Sequence, residues 1–202
     1  MPSPRSKSTD SYHHGNLREA LITAAREALE TTALEAITLK SLATQLGVSQ
    51  PAPYRHFASR EALLQAVAED GFRRFHEALE AAGSAGPSQE GTERSALAYI
   101  HFGQSNRGVY RLMFASRIVH TASHDSPLAR AASTAFNSLL ASVSVHAPPE
   151  RARAVAVWVW STLHGIVMLD SEGLLAGPAD KALSVEQVVR EFAEALRLRL
   201  RP

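Results

Sequence analysis

The stretch 38–57, TLKSLATQLGVSQPAPYRHF, decides the fold predicted for this chain of 202 residues. Thr38 is a candidate N-cap, because its hydroxyl can accept a hydrogen bond from a free amide at the start of a helix. The apolar residues that follow recur at helical spacing and are Leu39, Leu42, Ala43 and Leu46. Gly47 can then adopt the left-handed backbone that ends a helix. Ser49 is a second candidate cap, so the stretch predicts a short helix, a tight turn and a second helix of about two turns.

The second of these helices carries side chains that suit a nucleic acid. It contains Gln50, Tyr54, Arg55 and His56, and its partner helix offers the small Ala43 for close packing. That arrangement is typical of a helix-turn-helix whose second helix enters the DNA major groove. An ordinary helical hairpin in an all-α domain fits the same spacing.

The local charge favours the DNA-binding interpretation. Residues 36–60 contain no Asp or Glu but hold Lys40, Arg55, His56 and Arg60, although the formal net charge of the whole chain is only +1. A surface that faces DNA phosphates needs this local sign. A solvated helix face in a nearly neutral protein more often mixes acidic and basic residues.

The longer run 37–68, ITLKSLATQLGVSQPAPYRHFASREALLQAVA, resembles the DNA-binding domain of TetR-family transcriptional repressors. In that family a Tyr-x-His-Phe element closes the recognition helix, and here the matching residues are Tyr54, His56 and Phe57. The SREALL segment resembles the family's link into the regulatory domain. The resemblance implies a repressor that binds DNA as a homodimer and is released by a small-molecule effector.

Pro53 departs from the commonest pattern of the family. It lacks an amide hydrogen and disfavours helical geometry at the preceding Ala52. The recognition helix can therefore start late. In that case Ser49, Gln50 and Pro51 would lie partly in a loop. The sequence does not specify which of the three contacts bases.

Each predicted DNA-contacting residue lies in or beside this hairpin. We expect Lys40 and Arg55 to bind phosphate or guanine, Gln50 a base edge, and Tyr54 and His56 backbone phosphates. His56 has the alternative of packing or capping beside the core. The full predicted set is Thr38, Lys40, Ser49, Gln50, Pro51, Ala52, Tyr54, Arg55 and His56.

The whole chain is predicted to be all-α, because no stretch outside a longer helical run shows the alternation of a strand. Residues 1–11 hold prolines, serines, Arg5 and Lys7, and predict a flexible arm that either reaches the minor groove or stays solvated. Residues 12–58 form the predicted three-helix DNA-binding domain. Residues 59–202 form the predicted helical domain for ligand binding and dimerisation.

Helix boundaries in the second domain follow from caps and breakers. Ser59 is a candidate cap for a long helix that bridges the two domains, and the segment 83–91, GSAGPSQEG, indicates the loop that ends it. Ser126 before Pro127 is typical of a cap with proline at the first helical position. The final helix is predicted over 185–201.

A second motif, W-x3-H-G, is formed by Trp160, His164 and Gly165 and resembles the C-terminal domain of a TetR subgroup marked by it. Several large residues either line a cavity for an apolar or aromatic effector or fill the core. They are Tyr99, Phe102, Met113, Phe114, Trp160, His164 and Met168.

Two C-terminal amphipathic helices that cannot bury their apolar faces alone predict a homodimer through a four-helix interface. A two-fold dimer presents its recognition helices roughly 34–36 Å apart, or a multiple, and reads a pseudo-palindromic operator in double-stranded DNA. An effector in the body would then favour a dimer whose spacing no longer matches the half-sites.

Other classes fit the sequence less well. The nine histidines suggest a metal or acid-base enzyme, but H-E-x-x-H, G-x-S-x-G and glycine-rich phosphate loops are absent. We therefore expect no catalysis, metal or cofactor; a helical module that binds acidic protein partners remains the alternative. The absence of cysteine excludes disulfides. The longest apolar stretch, 154–168, is shorter than the roughly 20 residues of a membrane helix, so we expect a cytoplasmic protein.

Overall fold

The computed structural model describes residues 17–83, 88–175 and 183–200. Within these ranges the chain forms α-helices and two short 3-10 helices and contains no strand, which confirms the predicted all-α class. The predicted arm 1–11 lies outside the described residues, as does the histidine pair His13 and His14.

The N-terminal helices begin where their caps predict. Helix α1 spans Leu17–Leu29, α2 spans Leu39–Gln45 and α3 spans Arg60–Ala82, with 3-10 helices at Leu34–Ala36 and Pro53–Arg55. The Thr38 hydroxyl accepts the Ser41 amide at 3.0 Å, and the Ser59 hydroxyl accepts the Ala62 amide at 3.1 Å. Both predicted N-caps are therefore confirmed.

In the described part of the body, six further helices follow: α4 Gln89–Ser105, α5 Arg107–Phe114, α6 Ile118–Thr121, α7 Pro127–Ser144, α8 Pro149–Ser171 and α9 Val185–Arg199. The Ser126 hydroxyl accepts the Ala129 amide at 3.1 Å, so the predicted cap of α7 is confirmed. The predicted loop 83–91 is shorter than expected, because Ser88 caps α4 and the helix already begins at Gln89. Helix α9 ends at Arg199, before Leu200, and Arg201 of the predicted helix 185–201 lies outside the described residues.

Helix α3 joins the two halves of the molecule. It packs against α1 on one side and against α4, α5, α6 and α7 on the other, and its apolar face enters one continuous core that runs from Leu21 to Leu196. Arg26 of α1 is also ion-paired with Asp70 of α3, with 3.2 Å between Nη1 and Oδ2. The N-terminal helices therefore pack directly on the body.

Helix α8 is the long apolar helix of the body. Among the described residues it is the one helix with the length and composition to cross a membrane. Here it packs against α4, α7 and α9 instead, and its inward side chains, which include Val159 and Leu163, are buried in the core. That packing covers one side of α8, whereas Val157 and Leu169 on its outward side are exposed.

Candidate DNA interface and ligand cavity

The turn after α2 has the geometry that the sequence predicts. Gly47 has a φ of 66°, which the absence of a Cβ permits without strain. The amide of Val48 donates to the Ala43 carbonyl at 3.0 Å, and the amide of Gly47 donates to Thr44 at 3.2 Å. Ala43 is fully buried. These hydrogen bonds end α2 and form the tight turn that follows it.

The segment after the turn differs from the predicted two-turn helix. Ser49 does not open a helix; its carbonyl accepts the Ala52 amide at 2.9 Å in a turn, and only Pro53–Arg55 is helical, as a 3-10 helix. The late start that Pro53 suggests is therefore what the structure has. The expectation that Pro53 keeps Ala52 out of helical geometry is wrong, because Ala52 has helical dihedral angles of φ −59° and ψ −45°.

Two residues anchor this recognition segment, which we define as residues 48–57. The Pro53 ring is buried, and its carbonyl accepts the amides of His56 and Phe57, both at 3.0 Å. The Phe57 ring is 4% exposed and is covered by the Arg18 guanidinium at 5.5 Å from its centroid. The anchors hold the short segment against the core and leave its other side chains outside.

The predicted DNA-contacting residues are mostly accessible. Tyr54 is 57% exposed, and His56 points to solvent rather than packing beside Phe57. Thr38 and Ala52 are half-buried. The exposed members of the predicted set are Lys40, Ser49, Gln50, Pro51, Tyr54, Arg55 and His56.

Two of these side chains already have partners within the hairpin. The Gln50 amide nitrogen donates to the Thr44 hydroxyl at 3.1 Å, and Thr44 in turn donates to the Lys40 carbonyl at 3.2 Å. Thr44, which sequence reasoning did not select, therefore orients Gln50. The Thr38 hydroxyl is engaged by Ser41, so a phosphate contact there must compete with the helix cap.

Arg60 does not belong to the free basic surface with which the sequence analysis grouped it. Its Nε donates to the Ile37 carbonyl at 2.6 Å, and its Nη2 donates to the Leu34 carbonyl. The side chain is half-buried between α3 and the loop before α2. Its charge stabilises this loop, and the exposed cations of the hairpin are Lys40 and Arg55.

The body contains a cavity of about 590 Å³ between α3, α4, α7 and α8. Its aromatic lining consists of Phe72, Phe75, Tyr99, Phe114, Phe136, Trp160 and Phe192. Among the described lining residues, Glu80 carries the one carboxylate and His120 the one imidazole, and both side chains are exposed. The buried wall is therefore uncharged and apolar, which suits an uncharged organic molecule.

The structure separates the predicted ligand residues into two groups. Those that line the cavity are Tyr99, Met113, Phe114 and Trp160. The other three, Phe102, His164 and Met168, lie outside its lining. Phe102 is buried against the Phe75 ring, with 5.1 Å between centroids. Sequence periodicity did not single out Phe72, Phe75 or Phe136, because each fits an ordinary helix core equally well.

His164 takes part in a buried hydrogen-bond chain instead. The Tyr99 and Tyr110 hydroxyls are 3.1 Å apart, and the Tyr110 hydroxyl is 2.7 Å from His164 Nδ1. Burial raises the pKa of Tyr99 and of Tyr110 and lowers the pKa of His164. Tyr110 was missed by sequence reasoning, although its spacing from Met113 and Phe114 places all three on one helix face.

The described part of the chain holds no group of three or more His, Asp or Glu side chains arranged to bind a metal ion. The polar groups that the structure does bring together are the exposed side chains of the recognition segment and the buried chain that ends at His164. The first arrangement suits contact with a polyanion, and the second positions helices.

Two of the most similar known proteins extend this picture. Tetracycline repressor protein class C of Escherichia coli is 50% identical over 52 residues, which are 26% of this chain and 24% of that protein. This chain thus spans about a quarter of that relative's length. A protein of unknown function from Rhodococcus sp. RHA1 is 30% identical, with a TM-score of 0.79 over 94% of this chain and 97% of its own.

A TetR protein from Acinetobacter baumannii AYE, solved in complex with minocycline, has a TM-score of 0.59 at 23% identity over 90% of each chain, which shows a shared fold. Residues 21–67 match the family model for bacterial regulatory proteins of the tetR family. Residues 92–192 match the model for the tetracyclin repressor-like C-terminal domain. The first match contains the helix-turn-helix, and the second alone covers half of the chain. The protein therefore belongs to the TetR family of DNA-binding transcriptional regulators.

Proposed function

We propose that this regulator is a cytoplasmic repressor that binds a pseudo-palindromic operator as a homodimer and leaves it when a small molecule enters the cavity. The observation that carries the proposal is the recognition segment, where Pro53 and Phe57 are buried while Tyr54, Arg55 and His56 are exposed. In this proposal the DNA-binding domain is 12–58 and the regulatory domain is 59–202.

The roles in DNA binding follow from chemistry and position. Arg55 and Lys40 are the exposed cations of the hairpin and bind phosphate or guanine. Gln50, held by Thr44, reads a base edge, since a carboxamide can donate and accept at once. Tyr54 donates its hydroxyl to a backbone phosphate.

The proposed dimer interface is the outward face of α8. Val157, Ser161, Gly165 and Leu169 follow one another at intervals of one helical turn, and Val157 and Leu169 are 41% and 45% exposed. A Cβ on Gly165 would meet no atom of the described chain within 4 Å. The small residues in the middle of this stripe let a second helix approach closely, and the apolar ends are buried by the same contact. Gly165 of the W-x3-H-G motif lies on this face. Membership of the subgroup marked by that motif stays a prediction.

The effector proposed for the cavity is an uncharged apolar or aromatic molecule. The cavity of about 590 Å³ is in the size range of small-molecule sites, and Phe75, Phe114 and Phe136 offer ring faces and edges for stacking. The minocycline complex of the Acinetobacter baumannii relative supports a ligand in this body. In this chain the ligand would contact Tyr99 and Trp160 as well.

The proposal is tested by selecting binding sites from random duplex DNA with the purified protein at physiological salt. We expect the retained sequences to share an inverted repeat. The matched control is Arg55→Ala, which changes an exposed side chain and should lose the selection while staying folded. Retention of unrelated sequences by the folded wild-type protein would favour the helical interaction module instead.

A further inference from the structure

Helix α5 is capped by a side chain of the DNA-binding domain. The Glu30 carboxylate, just after α1, accepts the amides of Gly108 and Val109 at 3.2 Å and 3.4 Å. The first amides of a helix have no partner inside the helix, and negative charge is favourable there. The Asn106 side chain, next to this helix start, donates instead to the Phe102 carbonyl at 2.9 Å. Glu30 therefore supplies a cap that α5 does not supply itself.

The same junction has no free space. A Cβ placed on Gly108 would lie 2.0 Å from the Leu29 carbonyl oxygen, so the backbones of α5 and α1 are in direct contact. On the side of α3, a Cβ on Gly71 would lie 2.7 Å from both Met113 Sδ and Val109 Cγ1. Close-packed protein interiors compress little. A shift of α5 therefore has to move α1 or α3.

The other face of α5 belongs to the ligand cavity. Met113 and Phe114 line the cavity, and Tyr110, on the same face, holds the hydrogen bonds to Tyr99 and His164. One helix of two turns thus contacts the cavity with its side chains and the DNA-binding domain with its N-terminus. Helix α1 in turn packs on α2 and on the 3-10 helix of the recognition segment.

We propose that the Glu30 carboxylate strengthens the coupling between α5 and the DNA-binding domain, and with it the response of the recognition segment to a ligand in the cavity. The proposal rests on the effector-controlled release described above and specifies its route. A ligand that displaces Met113 or Phe114 moves α5. While Glu30 holds the start of that helix, the displacement is passed to α1 and changes the position of the recognition segment.

The test measures coupling rather than activity. N-phenyl-1-naphthylamine, an uncharged aromatic probe that fluoresces in apolar sites, is titrated into the protein with and without the operator recovered by selection. Linkage requires the ratio of the two probe dissociation constants to equal the effect of the probe on operator binding. Probe binding is assigned to the cavity if Ala135→Phe weakens it, since Ala135 lines the wall.

Three variants isolate the Glu30 contact. Glu30→Ala removes the cap. Glu30→Gln keeps one of the two oxygens and can accept one of the two amides, because Gly108 and Val109 bond to different oxygens of the carboxylate. Glu27→Ala removes an exposed charge one turn earlier on α1. Wild type and Glu27→Ala should show a ratio of roughly 5- to 150-fold. Glu30→Ala should lower the ratio by roughly 2- to 10-fold, because the packing of Gly108 on Leu29 remains. It should still bind the probe and the operator separately, because Glu30 is exposed and outside both sites. Glu30→Gln should lie between these values.

The outcomes separate this inference from the proposed function. A ratio in Glu30→Ala equal to that of the wild type would overturn the coupling role of Glu30 and leave effector-controlled release intact. If the wild-type protein binds both the probe and the operator, but the probe dissociation constant is the same with and without operator, effector-controlled release itself is contradicted. Failure of the probe to bind, or binding that Ala135→Phe does not weaken, would contradict the proposed apolar ligand site.

Discussion

The Tyr110 hydroxyl lies 2.7 Å from Nδ1 of His164, and the two rings are stacked with 5.5 Å between their centroids. Because Tyr110 also contacts the Tyr99 hydroxyl at 3.1 Å, this chain ties α4, α5 and α8 together at the cavity wall. Burial lowers the pKa of His164 from its ordinary value of 6.5. The imidazole is therefore neutral near pH 7, and its Nδ1 can accept a hydrogen bond from the Tyr110 hydroxyl.

The lowered pKa of His164 makes stability depend on pH. Between the folded and the unfolded pKa the unfolded chain binds more protons, so the free energy of unfolding falls as pH drops below 6.5. We expect the Tm of the wild-type protein to fall more between about pH 7.5 and about pH 5.5 than the Tm of His164→Gln. Thermal unfolding followed by circular dichroism at constant ionic strength measures both. An equal fall in the two proteins would show that His164 does not titrate in this way.

Arg55 and Arg60 should separate DNA binding from stability. Arg60→Ala removes two charge-assisted hydrogen bonds to backbone carbonyls and should lower the free energy of unfolding by about 2 kcal/mol. Arg55→Ala changes an exposed side chain and should stay within about 0.5 kcal/mol of wild type while weakening operator binding. Urea denaturation and fluorescence anisotropy with labelled operator provide the two measurements. Loss of stability in Arg55→Ala would contradict its assignment to the DNA surface.

Tyr54 and Gln50 should affect binding in different ways. Tyr54→Phe removes a phosphate-binding hydroxyl and should weaken binding to all sequences similarly. Gln50→Ala should reduce discrimination at one base pair by roughly 1–3 kcal/mol. Thr44→Val keeps the shape of Thr44 but removes the partner that orients Gln50, so a smaller loss is expected at the same base pair. Competition with single-base operator variants measures each effect; a selective loss in Tyr54→Phe would reverse the roles.

A single introduced charge tests the proposed interface on α8. Val157→Glu places two carboxylates in an apolar contact of the dimer, where unpaired charge is costly, and should yield a monomer. Val145→Glu is the matched control, because Val145 is 75% exposed and lies at the end of α7 rather than on α8. Sedimentation equilibrium at micromolar concentration distinguishes the two states. A Val157→Glu dimer as stable as wild type would place the interface elsewhere.

Helix starts were predictable because the decisive contacts are local. The hydroxyls of Thr38, Ser59 and Ser126 each accept a hydrogen bond from the backbone amide three residues later. A contact over three residues can be predicted from the sequence alone. The turn at Gly47 is predictable for the same reason, since only the positive φ of one residue is required.

The recognition segment was harder to predict, because local rules disagree there. Ser49 favours a helix start, whereas Pro53 removes an amide from the helix interior. The structure resolves the conflict by burying Pro53 and shortening the helix to Pro53–Arg55. Arg60 shows a different limit, since its partners Leu34 and Ile37 are distant in the sequence. Its charge was visible, but the carbonyls that it binds were not.

The cavity depends on how helices pack, which periodicity does not specify. Phe102 and Phe114 both lie on apolar helix faces, yet only Phe114 lines the cavity, whereas Phe102 is packed on Phe75. The difference is set by the positions of α3 and α7 relative to α4 and α5. Tyr110 and Glu30 escaped notice because their partners come from other helices.

The most direct test of dimeric DNA reading uses the selected operator with about 5 base pairs, half a helical turn, inserted between its half-sites. A two-fold dimer cannot then contact both half-sites on one face of the duplex, and we predict a loss of affinity of roughly 100-fold or more. The same insertion in the flank should have no effect. Equal affinity for the operators with and without the central insertion would contradict the account.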